Sequence, residues 1–146
     1  MSVADSWLTV DGTAVAVDRH LDRFSASVGA RHPKVDVDAF CAAVCHVLSD
    51  SGRWFPRIEA IDCAGHVTLR LLMRVAPEPS VDVVLATAAT DPRTDPFVKG
   101  PDLVALGALR TETGAGEAII VDDGFVAEGA WSSIVWWTND TLHCAV

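Results

Sequence analysis

The sequence predicts an α+β protein of two unequal parts, a small N-terminal α/β lobe followed by an incomplete second lobe. Three observations carry this. Three segments read as helices, two from apolar residues at helical spacing around Leu21 and Val44 and one from its start at Pro101-Asp102 and its stop at Gly114. Several short apolar runs are paired across Asp-Gly or Asn-Asp turns, the pattern of hairpins. Between residues 91 and 100 lies an irregular stretch with two prolines, which reads as an interlobe loop. The expected organisation is a lobe over 1–90, a loop over 91–100 and a partial second lobe over 101–146.

Residues 7–10 and 13–17 flank Asp11-Gly12, so a hairpin opens the chain. Asp18 is expected to cap a helix over 19–29, with Leu21, Phe24 and Val28 inward. Arg31-His32-Pro33-Lys34 breaks it. Asp36 caps a second helix, with Phe40, Val44, Val47 and Leu48 inward, and Ser51-Gly52 ends it. Strands follow over 54–61 and 67–75. Their polar members Arg57, Glu59, Thr68, Arg70 and Arg74 fall on one face. After the break at 76–79, residues 81–89 read as a buried strand. Pro101-Asp102 opens a third helix, to about residue 113, and Gly114 and Gly116 end it. A hairpin follows over 117–121 and 125–128 about Asp122-Asp123-Gly124. Another spans 133–138 and 141–145 about Asn139-Asp140.

At 146 residues the chain is long enough to bury a real core, and with half its residues hydrophobic it is not disordered. A net charge of −9 argues against nucleic acid and against an anionic membrane surface. A small anionic ligand needs only one or two placed cations and stays open. No segment reaches the roughly 18 apolar residues of a membrane span. No basic residue precedes the first apolar run, so no signal peptide is expected and a cytoplasmic location follows. Cys41, Cys45, Cys63 and Cys144 form no CxxC pair and are expected to be buried reduced thiols; no metal site is expected.

Three features carry possible chemistry. Lys99 is one of two lysines and sits between Phe97-Val98 and Pro101. It is either a solvated loop lysine or an amine made nucleophilic by partial desolvation. Glu128 interrupts an apolar run in "VAEGAWSSIVWW", either as a strand-end acid in solvent or as a buried acid that needs a partner. Arg19 and Arg23 stand one helical turn apart with His20 between, either as a solvated face or as a forked phosphate contact.

Taken in order, these features resemble the class IV aminotransferase family. The likeness runs through "VDG" at Val10 to Gly12, "HLDRF" at His20 to Phe24 and "FPRIE" at Phe55 to Glu59. It continues in "VKGPDL" at Val98 to Leu103, "GEAIIVDDGFVAEGAWSSIVWW" at Gly116 to Trp137, and the terminal "DTLHCAV". The "EGAWSS" turn after a "DDG" hairpin is its most specific piece. The family comprises pyridoxal-phosphate enzymes of fold type IV: branched-chain and D-amino-acid aminotransferases and aminodeoxychorismate lyase.

The resemblance implies that Lys99 forms a Schiff base with pyridoxal phosphate and moves the Cα proton of a small amino-acid substrate. It implies that Glu128 pairs with the pyridine nitrogen and Arg23 contacts the phosphate. Ser132 and Ser133 stand where the family has a Ser-Asn pair near the ring. It further implies a homodimer. The family pattern continues past Val146 with a phosphate-binding segment that has no counterpart here, and the tyrosine that several members hold near the substrate has none either. A second expectation is therefore a catalytically inactive, truncated relative acting as a dimeric binding or structural protein through its apolar final strands, Trp131 and Ile134 to Trp137. Arg57 or Arg70 is expected either to reach a substrate carboxylate or to lie solvated on the polar strand face.

Overall fold

A computed structural model describes residues 2–48 and 51–144. The chain divides into two units, Met1–Glu78 with Phe97–Pro101, and Pro79–Pro96 with Asp102–Val146. Residues 79–90 thus group with the second part of the chain, and the Lys99 segment groups with the first.

In the first unit β1 (Ser2–Ser6) precedes the hairpin β2 (Thr9–Val10) and β3 (Thr13–Ala14). Two helices follow, α1 (Val17–Arg31) and α2 (Val37–Val47), then β4 (Arg53–Trp54), β5 (Arg57–Cys63) and β6 (His66–Leu72). The main sheet is antiparallel in the order β1-β5-β6, and a small sheet runs β3-β2-β4. Asp11 and Gly12 both take positive φ, as the two-residue turn requires.

The helices cover one sheet face. Val3, Trp7, Ile58 and Ala60 from the strands meet Leu21, Phe24 and Val28 of α1 and Val37, Cys41 and Val44 of α2. Phe24, Val28 and Ile58 are essentially inaccessible, and each such side chain contributes roughly 1.5–3 kcal/mol by leaving water. On the helix-free face, Glu59 is buried between Arg57 and Arg70, with ion pairs of 2.5 Å to each. The polar strand face is present, organised around one carboxylate.

Several expectations change. Asp18 does not cap α1: the helix starts two residues earlier, at Val17, behind Ala16 in the left-handed region, and Asp18 lies in the first turn, where its charge favours the helix dipole. Asp36 does cap α2, accepting from the Ala39 amide at 3.1 Å. Val47 faces solvent, because it flanks the stripe formed by Val37, Cys41 and Val44. Strand β1 is an addition to the expected elements. Pro56, with no amide to donate, splits the expected strand 54–61 into β4 and β5.

The second unit holds β7 (Leu85–Thr87), α3 (Leu103–Thr113), β8 (Glu117–Asp122), β9 (Phe125–Gly129) and the hairpin β10 (Val135–Thr138) and β11 (Thr141–Cys144). The sheet order is β7-β8-β9, with β7 parallel and β9 antiparallel to β8. Its core is a small cluster in which three alanines, Ala88, Ala118 and Ala130, surround Leu109 and Ile120. The expected buried strand over 81–89 is only three residues long and mostly exposed, with Val81 at 96%. The α3 cap Asp102 turns its buried carboxylate to Thr94 Oγ1 and the Asp95 amide, both at 2.8 Å. Gly114 closes α3 at φ 64. Asn139 and Asp140 both take positive φ, giving the expected tight turn between β10 and β11. Residue 145 of the expected last strand lies outside the described residues.

All four cysteines are free thiols, but the expected burial holds for Cys41 alone, since Cys45, Cys63 and Cys144 are exposed. Burial, followed by the nearby charge of Asp38, pushes the Cys41 thiol up to about 11. Iodoacetamide at pH 8 is expected to label Cys45, Cys63 and Cys144 and to leave Cys41 unlabelled until the chain is denatured. Mass spectrometry of the peptides checks this, and early labelling of Cys41 contradicts the burial.

Candidate functional site

The Lys99 segment is fixed to β1 by its backbone. The Ala4 amide donates to the Lys99 carbonyl at 2.8 Å. Val98 packs against the first unit's core. Gly100 lies flat on the strand at φ 134, where a β-carbon would stand 2.4 Å from the Ser2 carbonyl oxygen and 2.6 Å from the Ala4 nitrogen. Only glycine fits so close an approach in that conformation. The apolar flank expected around Lys99 is one-sided. Val98 is turned inward, Phe97 is 94% exposed, and the Lys99 side chain is 42% exposed.

Strand β1 brings Asp5 beside that lysine. The carboxylate is 1% exposed and sits 3.5 Å from Lys99 Nζ. Arg23 donates to it as a fork, Nε to Oδ2 at 2.8 Å and Nη2 to Oδ1 at 2.8 Å. His20 Nδ1 lies 3.0 Å from Oδ1, and the Ser6 amide donates to Oδ1 at 2.7 Å. The Trp7 ring backs His20, with centroids 5.7 Å apart. A buried carboxylate is tolerated only with this many donors. With neutral His20 the cluster is one negative and two positive charges, so it favours an additional anion. Arg19, one turn before Arg23 on α1, is exposed, and of the two it is Arg23 that forks onto Asp5.

Glu128, Ser132 and Ser133 belong to the second unit. Glu128 stands on β9 opposite Ile120. Its side chain is half in solvent, as the strand-end reading expects, and its Oε2 accepts from Arg93 Nη1 at 2.5 Å. Arg93 is nearly buried and also forks onto Asp91 at 2.9 and 2.8 Å. That hydrogen bonding holds the Asp91 carboxyl below its ordinary range and raises the Arg93 guanidinium. Ser132 and Ser133 lie in the exposed bend between β9 and β10. The bend is tight: a β-carbon on Gly129 would stand 2.6 Å from the Ser132 carbonyl oxygen. Buried Glu117 holds its start by accepting from the Trp131 amide at 3.2 Å.

Asp5 and Arg93 were not legible as site residues in the sequence. Asp5 carried a signal, an acid inside a short apolar stretch, which the unexpected strand β1 explains. Arg57 and Arg70 are both engaged by Glu59. Arg74, beside them, is lowered by burial first and by the Arg57 charge second. It donates to the Phe55 carbonyl and Ser6 Oγ, each at 3.1 Å.

An open depression of about 370 Å³ on the second unit is lined by Gly107, Arg110, Thr111, Gly114, Ala115 and Trp131. It contains none of the expected site residues. Among the described residues no cluster of three or more His, Cys, Asp or Glu could hold a metal ion. No helix among them is long and apolar enough to cross a membrane.

No protein-family model matches the sequence, and no curated protein matches it. The fold does match solved structures. A fold IV transaminase from Curtobacterium pusillum superposes with a TM-score of 0.74 at 18% identity, over 98% of this chain and 57% of that one. A hypothetical aminotransferase from Mycobacterium tuberculosis, in its PLP-bound form, gives 0.70 at 21% identity, over 92% of this chain and 57% of that one. A 4-amino-4-deoxychorismate lyase from Pseudomonas aeruginosa gives 0.61 at 19% identity, over 97% and 60%. The chain therefore has the fold of the fold IV transaminases and 4-amino-4-deoxychorismate lyases, spanning 57 to 60% of the length of these three.

Proposed function

We propose that the chain binds pyridoxal phosphate through Lys99 and serves aminotransferase or aminodeoxychorismate-lyase-like chemistry on a small amino acid. The observation that carries this reading is the meeting of Lys99 Nζ and the Arg23 guanidinium at one carboxylate, in a chain with this fold. The residues fit the group. The Lys99 amine is partly accessible and can condense with an aldehyde. Arg23 engages Asp5 through Nε and Nη2, and among the described residues its Nη1 is left for a phosphate oxygen.

When bound, pyridoxal phosphate supplies an electron sink for negative charge at the substrate Cα. Lys99 Nζ binds the cofactor and, once released, takes the Cα proton and returns it. Glu128 is assigned the pyridine nitrogen, where an ionised carboxylate retains a proton. Ser132 and Ser133 are assigned to the ring's surroundings. These three assignments rest on the sequence resemblance.

The test is chemical. The purified chain is incubated with pyridoxal phosphate, reduced with borohydride and digested, and any phosphopyridoxyl-lysine is located by mass spectrometry. Lys34 is the only other lysine, so it serves as the internal control. Label concentrated on Lys99 is expected. Equal label on both lysines, or none, overturns the reading.

A second reading, a non-catalytic dimeric binding or structural protein, is favoured by the final hairpin. Val135, Trp136, Trp137 and Leu142 all face solvent there. Its signature is a colourless homodimer, by sedimentation, that Lys99→Ala leaves unchanged.

A further inference from the structure

We propose that Asp5 is a positioning residue that holds the Arg23 guanidinium and the Lys99 amine in register for an incoming phosphate and aldehyde. This rests on the reading of Arg23 and Lys99 as cofactor residues. Lysine and arginine lose more rotamer freedom on being ordered than almost any other side chain. Here both are half in water, at 42% for Lys99 and 49% for Arg23. Left alone, each would sample many directions.

Asp5 is the fixed point they share. Its backbone is pinned in β1 opposite Ile58, which is itself fully buried. Its side chain is short and inaccessible. His20 and the Ser6 amide hold Oδ1 from the helix and from the strand. The fork to Arg23 uses Nε and Nη2, which fixes the guanidinium plane and leaves the Nη1 edge for an anion. The same Oδ1 faces Lys99 Nζ, whose backbone is tied to β1 at Ala4. An acid beside a phosphate site is otherwise unfavourable, since it subtracts positive charge. Orientation explains why it is there.

The experiment uses the whole chain and separates this proposal from the cofactor reading. Without cofactor, limiting acetic anhydride acetylates Lys99 and Lys34 in competition. The Lys99-to-Lys34 ratio is expected to rise about threefold in Asp5→Asn, as the amine loses a partly solvated ionic partner. In the unmodified chain, the Arg23 Nε proton is expected to exchange with solvent at least about tenfold more slowly than that of exposed Arg19, measured by NMR. This second readout needs no variant, so misfolding of Asp5→Asn does not remove the test.

With cofactor, the ratio of the dissociation constant for pyridoxal to that for pyridoxal phosphate is measured. Asp5→Asn is expected to lower this phosphate preference about tenfold, although it removes a negative charge. A tighter phosphate preference means Asp5 acts only as a charge, and overturns the proposal. So does an unchanged acetylation ratio in a variant that melts like the parent, or unprotected exchange at Arg23. If the unmodified chain takes no label at Lys99, the cofactor reading falls, while the acetylation ratio and the exchange rate still decide what Asp5 does.

Discussion

Lys99→Ala is expected to abolish phosphopyridoxyl labelling and to lower any transamination or lyase rate at least about a thousandfold, because it removes both the condensing amine and the proton carrier. The fold should tolerate the change. The Lys99 side chain is 42% exposed, and its contact with Asp5 is a partly solvated pair at 3.5 Å, worth about 0–1 kcal/mol. What anchors the segment is backbone: the Lys99 carbonyl, Gly100 and the inward-turned Val98, all of which alanine at 99 preserves. Lys99→Arg sharpens the result. It keeps a positive charge beside Asp5 and cannot condense with an aldehyde, so it should retain the melting temperature and lose the label. If Lys99→Arg keeps activity, the lysine is an electrostatic contact and the Schiff-base reading fails. If Lys99→Ala melts far below the parent, the segment depends on the side chain more than the geometry allows.

An element is legible in the sequence where local signals agree. The helix around Leu21, Phe24 and Val28 was visible because its apolar period, its charged opposite face and the break at Pro33 coincide. The hairpins at Asp11-Gly12, Asp123-Gly124 and Asn139-Asp140 were visible because two-residue turns demand positive φ from a few residue types. Strand β1 was not. "SVADS" alternates poorly, and its Asp5 is polar on the face that packs against the helices. The run around Val83 and Val84 misled in the other direction. It is apolar enough for a core strand, yet parallel pairing to β8 holds only three of its residues, and its valines stay in solvent.

The site divides in the same way. Lys99, Glu128 and Arg23 stand out as candidates in the sequence because their neighbours form recognisable turns and helix spacing. Asp5 and Arg93 were not, because their roles come from pairing across the fold. Arg93 meets Glu128 across 35 residues of chain, and Asp5 meets Arg23 across 18. No local window contains such a pair. A buried acid announces only that some partner exists, and the partner's identity waits on the fold.

Gly100→Ala is the backbone counterpart of the Lys99 change and should be the more damaging to stability. At φ 134 an L-residue is strained by about 1–3 kcal/mol before any contact is considered. The added methyl would also stand 2.4 Å from the Ser2 carbonyl oxygen, 2.6 Å from the Ala4 nitrogen and 2.9 Å from the Val3 carbonyl carbon. All three are main-chain atoms of a paired strand, so no side chain can swing aside. The segment must lift off β1, and it then loses the bond from the Ala4 amide to the Lys99 carbonyl, about another 1 kcal/mol. A total destabilisation of roughly 2–4 kcal/mol is expected by chemical denaturation. Lys99 should also lose its place beside Asp5, so borohydride labelling in the variants that remain folded should spread from Lys99 toward Lys34. Gly100→Ala at parental stability with undiminished Lys99 label would mean that the segment does not lie on β1 as described. The placement of the lysine would then owe nothing to this glycine. Loss of stability together with loss of selective label would tie one conformational requirement of the backbone directly to the reactive amine.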